Sequence, residues 1–225
     1  MQRAFWADPK RRVLTMDNGQ LKIDNSYLPK GWEVKKLGDI SDIKYGYTDS
    51  ASYEKIGPKF LRITDIQDGK VNWDNVPNCE ISGSNIKKYL LVDGDMVFAR
   101  TGATTGKSYL VCDPPSAVFA SYLIKVHIQS KNLIPEYLFL FFQTKKYWDE
   151  INAGVAGAAQ GGFNATKLSG LQIPIPPLPE QKQIVKKLDT LSAETKKLKT
   201  TYQKKINDLE ELKKSILQKA FNGEL

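Results

Sequence analysis

Short apolar runs separated by Gly, Asp and Asn dominate the chain up to about residue 173, and a single long periodic pattern follows. Lys59 to Ile63, Asp95 to Ala99, Lys107 to Cys112 and Tyr122 to Ile128 each read as a strand between turn residues. Val13 to Met16 and Gln20 to Ile23 flank Asp17-Asn18-Gly19, which predicts a hairpin near the amino terminus. Pro135 to Asn152 predicts one helix, with proline at the first position and Tyr137, Leu138, Phe141, Phe142, Trp148 and Ile151 near helical spacing as core residues. Ala153 to Asn164 has almost no side-chain bulk, which predicts an irregular loop, either a plain connector or a segment that lets a ligand approach the backbone.

Pro174-Ile175-Pro176-Pro177-Leu178-Pro179 stops a strand and forbids a helix until its last proline. Beyond it Ile184, Leu188, Leu191, Thr195, Leu198, Tyr202, Lys205, Leu209, Leu212, Ile216 and Lys219 recur at alternating spacings of four and three, and eight of these eleven positions are apolar. That is a heptad seam, with Pro179-Glu180 as start and Asn222-Gly223 as stop. A helix of this length needs a second helix along its seam, and the chain offers none comparable. A self-paired or partner-paired coiled coil is therefore expected, with Ile184, Leu188, Leu191, Leu198, Tyr202, Leu209, Leu212 and Ile216 as the dimerisation contacts and Thr195, Lys205 and Lys219 as polar positions that fix orientation. The expected fold class is α+β: an appendage over residues 1–26, a β-rich globular domain over 27–178 and a single long coiled-coil helix over 179–222.

Composition narrows the function. The 225 residues are 41% hydrophobic and 26% charged, an ordinary globular balance. The most apolar stretch, Leu133 to Phe142, is interrupted by Pro135 and Glu136 and too short to cross a bilayer. Arg3, Lys10, Arg11 and Arg12 are followed by no apolar run, so no secretory signal is expected and the location is expected to be cytoplasmic. Cys79 and Cys112 are too few for a disulfide framework and are expected to be free thiols. The one histidine, His127, lies in an alternating run and reads as a strand residue. Net charge is +8, shared equally between the part before residue 180 and the helix after it. The helix lysines read as the solvated face of a coiled coil.

Three catalytic motifs fail on inspection. Gly102 to Ser108 approaches a nucleotide-binding loop, but Thr101 stands where that loop needs glycine, and a strand rather than a helix follows Lys107. Asp113-Pro114-Pro115-Ser116 approaches an amino-methyltransferase motif, yet Ser116 has no ring to stack on a base. Glu33-Val34-Lys35 with Asp24 mimics a metal nuclease, but alternates with apolar residues at the opening of the domain. Two other segments, Lys44-Tyr45-Gly46-Tyr47-Thr48 and Arg100 to Lys107, combine cations, aromatics or hydroxyls with glycine, a mixture suited to phosphate and base-edge contacts.

The order of these pieces resembles the specificity subunit of type I restriction-modification systems. The resemblance spans about residues 28–222 and rests on Leu28-Pro29-Lys30-Gly31-Trp32, Phe60 to Ile66, Leu91-Val92-Asp93-Gly94-Asp95 running to Arg100, and most of all Leu171 to Gln181 leading into a heptad helix. It implies a target recognition domain joined to a spacer helix. Family members carry two of each in about twice this length, with the helices antiparallel, so one of each implies an antiparallel homodimer reading an interrupted palindrome in double-stranded DNA. It also implies that the chain is non-catalytic and needs no cofactor of its own. A partner methyltransferase subunit would bind S-adenosylmethionine and methylate adenine N6, a restriction subunit would cut, and the spacer helix would dock the methyltransferase. Expected DNA contacts are Lys44, Tyr45, Tyr47, Thr48, Arg62, Arg100, Thr101, Thr104, Lys107, Gln160, Asn164 and Lys167, chosen by chemistry and loop placement. Two alternatives stay open: target recognition for a type II fused methylase-nuclease, and a coiled-coil interaction protein without a DNA role.

Overall fold

The computed structural model describes residues 14–17, 20–23, 28–156 and 162–224, the first two segments as backbone. The chain divides into two units, Met1–Lys182 and Gln183–Leu225. In the first unit, strands β1 (Leu14–Asp17) and β2 (Gln20–Ile23) pair antiparallel as the hairpin signal implies, but with Asp17, expected in the turn, opposite Gln20 at the end of the first strand. Val13, Asn18 and Gly19 lie outside the described residues. Next come β3 (Glu33–Lys36), a single helical turn α1 (Leu37–Ile40) and β4 (Ser41–Tyr45). After β5 (Lys59–Leu61), a small ribbon of β6 (Ile66–Gln67) and β7 (Lys70–Val71) and helix α2 (Gly83–Tyr89), the chain enters β8 (Met96–Ala99) and β9 (Ser108–Leu110). Strands β10 (Ala117–Phe119) and β11 (Leu123–Ile128), helices α3 (Pro135–Phe141), α4 (Lys145–Ala156) and α5 (Ala165–Ser169), strand β12 (Gln172–Ile175) and helix α6 (Leu178–Phe221) complete it.

Four strands form the central sheet in the order β4-β11-β8-β9, every neighbour antiparallel. All four residues of β8 are buried, so both faces of the sheet are covered, and Met96 to Ala99 is a continuous apolar run for that reason. One side packs Val97, Ala99, Tyr109 and Leu123 against Leu61, Val76, Leu91, Val111, Ala117 and Phe119. Strand β5 pairs parallel with β10, and β12 pairs antiparallel with β3. Pro174 sits inside β12, whose only hydrogen-bonded strand neighbour among the described residues is β3, and proline is tolerated in a strand with an open edge.

The helix expected over Pro135 to Asn152 is two helices. Thr144 divides them: its hydroxyl donates to the Phe141 carbonyl at 2.7 Å and accepts from the Tyr147 amide at 3.3 Å, closing α3 and opening α4. The second helix then continues to Ala156, so the loop expected from Ala153 is helical for its first turn. Gly157 to Gly161 lie outside the described residues. Tyr147, which the periodicity does not single out, is fully buried and stacks on Phe142 at 4.7 Å.

Helix α4 also carries a desolvated ion pair. Lys146 Nζ lies 3.9 Å from Glu150 with both side chains largely buried, and it makes no hydrogen bond. Burial pulls the Lys146 ammonium down to about 8 against the opposing pull of Glu150, and burial raises the Glu150 carboxyl. Above about pH 8 the folded state has lost a proton that an unfolded lysine, with a pKa near about 10.4, still holds. Stability is therefore expected to rise with pH across that interval. Urea midpoints at about pH 7.5 and 9.5 should show the rise in the native chain and not in Lys146→Met. An equal rise in both would contradict the assignment.

The second unit is the body of α6, part of a helix of 44 residues and so about 66 Å long. Leu188, Leu191, Leu198, Tyr202, Leu209, Leu212 and Ile216 are between 41% and 65% exposed, so the seam forms an uncovered stripe. Ile206, one position beyond the seam residue Lys205, flanks the stripe and widens it. No described helix is long and apolar enough to cross a membrane.

Candidate nucleic-acid interface

Because the sheet is antiparallel in the order β4-β11-β8-β9, the end of β4, the start of β11, the end of β8 and the start of β9 share one edge. That topology brings together two segments more than fifty residues apart in sequence, Tyr45 to Thr48 and Arg100 to Lys107. Gly46, in the first segment, is packed against the turn between β10 and β11. Its amide donates to the Leu123 carbonyl at 3.1 Å, and a Cβ there would fall 2.2 Å from the Ala120 carbonyl oxygen, so only glycine fits. Gly106 is fixed as firmly: its φ is +93°, a Cβ would meet Trp148 and Ile151 at 2.8 Å, and its carbonyl accepts the hydroxyl of buried Tyr147. The aromatic core of α4 thereby holds the turn that presents Thr101, Thr104 and Lys107. Thr101 and Thr104 are half-buried and Lys107 is exposed.

Arg100 is the centre of the cluster. Its amide donates to the Tyr122 carbonyl at 3.2 Å and its own carbonyl accepts the Phe163 amide at 2.9 Å. The guanidinium stacks 5.1 Å from the centre of the Tyr45 ring, and Nε is buried without a hydrogen-bond partner. The Tyr45 hydroxyl in turn accepts from the Ala165 amide at 3.0 Å. Arg100 is thus held before any ligand arrives, and pre-oriented donors lose less entropy on binding. Asn164 lies in the same loop and caps α5 by accepting from the Lys167 amide at 2.9 Å.

Other expected contacts have structural employment. Arg62 follows Leu61, whose carbonyl accepts from Ala120 at the same end of the fold, but its guanidinium makes a two-pronged pair with Asp65 at 2.8 and 3.0 Å. That pairing drives its pKa further up and neutralises its charge locally. Lys44 is paired with Asp42. Tyr47 packs on Tyr89 with ring centres 5.2 Å apart, and burial heads the causes that raise its hydroxyl pKa. The Lys167 ammonium donates to the Gly154 carbonyl at 2.7 Å, tying α5 to α4. Thr48 is exposed. Gln160 lies outside the described residues. Sequence reasoning missed Tyr122 as a surface feature: it is 60% exposed beside Arg100, and the signal was Ser121-Tyr122 interrupting two apolar runs.

The failed motifs keep their structural readings. Lys107 leads into β9, so the glycine turn is followed by a strand and not by the helix a nucleotide-binding loop requires. Glu33 and Lys35 pair with each other at 3.0 Å on the exposed side of β3, and Asp24 lies outside the described residues. Among the described residues no group of three His, Cys, Asp or Glu side chains is placed to hold a metal ion.

The proline-rich junction is built around one buried polar side chain. Gln181 is wholly inaccessible: its Nε2 donates to the carbonyls of Asn132 at 2.7 Å and Pro176 at 2.8 Å, and its Oε1 accepts the Ile134 amide at 3.0 Å. Beside it the Trp32 indole donates to Glu180 at 3.1 Å, and the Tyr137 hydroxyl donates to the Pro174 carbonyl at 2.8 Å. Pro-Glu-Gln therefore locks the first turn of α6 to the entry of α3, the exit of β12 and the opening Leu28-to-Trp32 segment.

A β-rich domain with such a junction into a long seamed helix is the architecture of a DNA specificity domain. Residues 29–208 match the family described as type I restriction modification DNA specificity domain, and the chain belongs to that family. The putative type I restriction enzyme MjaX specificity subunit of Methanocaldococcus jannaschii is 32% identical over 206 residues, covering 89% of this chain and 48% of that protein. The type I restriction enzyme EcoKI specificity subunit of Escherichia coli is 24% identical over 193 residues, covering 83% and 41%. The chain thus spans about half the length of these relatives. The crystal structure of the HsdS subunit from Thermoanaerobacter tengcongensis shares the fold with a TM-score of 0.65 at 22% identity, covering 95% of this chain and 49% of that one.

Proposed function

We propose that this chain is a half-length, non-catalytic specificity subunit whose sheet-end cluster reads one half-site of double-stranded DNA. Two copies, paired antiparallel through α6, would read an interrupted palindrome. A methyltransferase subunit carrying S-adenosylmethionine would be docked on the helix and would methylate adenine N6, and a restriction subunit would cut unmodified sites, all in the cytoplasm. The observation that carries the reading is the family match running through both the globular part and most of the helix, in a chain with one of each. The convergence of Tyr45, Arg100, Thr101, Thr104 and Lys107 at one sheet end supports it, since threonines and cations there suit phosphate and base-edge contacts.

The test is selection from a random duplex library by the chain with its methyltransferase subunit at physiological salt. Enrichment of two inverted half-sites is expected. Binding without sequence preference that vanishes at physiological salt would overturn the reading in favour of a plain interaction protein. Arg100→Ala is expected to lower affinity for the selected site at least about fivefold. Unchanged affinity at moderate salt would remove Arg100 from the interface.

A further inference from the structure

The polarity of the α6 seam reads the same in both directions about Thr200. Reversed around that residue, Ile184 meets Ile216, Leu188 meets Leu212, Leu191 meets Leu209 and Leu198 meets Tyr202, while the polar Thr195 meets the polar Lys205. Antiparallel coiled coils pack seam positions in such crossed pairs, so the order of residues selects a register and not merely an interface. We infer that α6 pairs with α6 of a second copy in an antiparallel register centred on Thr200. The inference rests on the self-pairing proposed above and goes beyond it by fixing which residues meet.

Competing registers fail at the polar positions. A slide of one heptad one way sets Lys205 against the partner's Leu188 and Thr195 against the partner's Leu198. A slide the other way sets Lys205 against the partner's Tyr202 and Thr195 against the partner's Leu212. Each places an ammonium opposite a large apolar side chain that shields it from water without pairing it. Parallel pairing in register keeps the apolar layers but sets Lys205 against the partner's Lys205 and Lys219 against the partner's Lys219. The centred antiparallel register avoids all of these contacts, and it covers the stripe that the helix leaves exposed. Its costs are Glu194 beside the partner's Asp208 on one flank and Lys199 beside the partner's Lys199 on the other, like-charge contacts at the solvated flanks that salt screens. A second copy fits the stripe because the seam is complementary to its own reverse. Each heptad of register is worth about 10 Å along the axis, or about three base pairs of separation, so the register would help set the gap between half-sites.

Distances between spin labels decide the point. In full-length chain carrying Cys112→Ser, with Cys79 buried, a label at Lys214→Cys sits on the outer face of the helix. The centred register expects a label separation of about 50 Å, from about 42 Å along the axis plus the width of the pair. A separation of about 30 Å would mean parallel pairing, and one about 10 Å shorter or longer than 50 Å would mean a slipped register. Either result overturns the register while leaving self-pairing standing. A protein that stays monomeric at every concentration overturns both. As a second readout, Thr201→Cys should oxidise to a covalent dimer, because its neighbour across this seam is the partner's Thr201; a parallel pair keeps these positions on opposite sides and would give none.

Discussion

Asp95→Ala is expected to destabilise the globular domain by about 3–5 kcal/mol, the cost of removing one member of a buried ion cluster. Asp95 is wholly buried. One carboxylate oxygen meets His127 Nδ1 at 2.7 Å, and the other accepts the Val92 amide at 2.9 Å and lies 3.7 Å from the Lys125 ammonium. Lys125 itself is 8% exposed, with one carbonyl, that of Leu90, at 2.8 Å and the Phe119 ring at 5.7 Å. Without the carboxylate that ammonium stays buried with too few partners, and the Gly94-Asp95 turn loses the bond that fixes its entry into β8. Since β8 ends at Ala99 and Arg100 follows directly, the loss also loosens the candidate interface. Urea unfolding should show the midpoint fall with little change in slope. Lys125→Met in the Asp95→Ala background should recover part of the loss, because the two positions share one interaction. A loss below about 1 kcal/mol would mean that water reaches the site and the cluster is not desolvated.

Gln181→Leu is expected to cost roughly 3 kcal/mol or more, although it exchanges a polar side chain for an apolar one of similar size in a fully buried place. The reason is what it leaves behind: the Ile134 amide and the carbonyls of Asn132 and Pro176 lose the partners that Gln181 supplies. Gln181→Glu should be at least as damaging, since a carboxylate would face two carbonyl oxygens. Unfolding free energy measures the global cost, and hydrogen exchange at Ile134 reads the junction itself. Native protection at Ile134 in Gln181→Leu would contradict the anchoring role.

Those two side chains mark the limit of what the sequence makes legible. The strands expected over Asp95 to Ala99 and Tyr122 to Ile128 and found at Met96 to Ala99 and Leu123 to Ile128, the pairing of the amino-terminal hairpin, the helix start at Pro135 and the long helix at the end of the proline run all follow from local pattern. Thr144 was readable in principle as a cap, but the apolar spacing runs through it, so the division of α3 from α4 is missed. Gln181 looks like a solvated residue in a first helical turn; only the packing of Asn132, Ile134 and Pro176 around it makes it a core residue. Likewise His127 reads correctly as a strand residue, yet its pairing with Asp95, thirty-two positions away, depends on the β8-β11 register.

The candidate interface divides in the same way. Side-chain chemistry picks out Lys44 to Thr48 and Arg100 to Lys107, and the strand order then brings both to one edge. Chemistry alone does not reveal that Asp65 holds Arg62, that Asp42 holds Lys44 or that Gly154 receives Lys167, because these are local pairings chosen by the fold. Nor does it show Arg100 seated on Tyr45, the feature that distinguishes a prepared contact from a surface cation.

The central claim is that this chain selects the DNA sequence on which a methyltransferase subunit acts. Co-expression of the two in a host free of adenine methylation, followed by genome-wide mapping of N6-methyladenine, tests it most directly. The account expects methylation at an interrupted palindrome, lost or weakened when Arg100→Ala replaces the native chain. No new methylation with both proteins soluble and associated would contradict it.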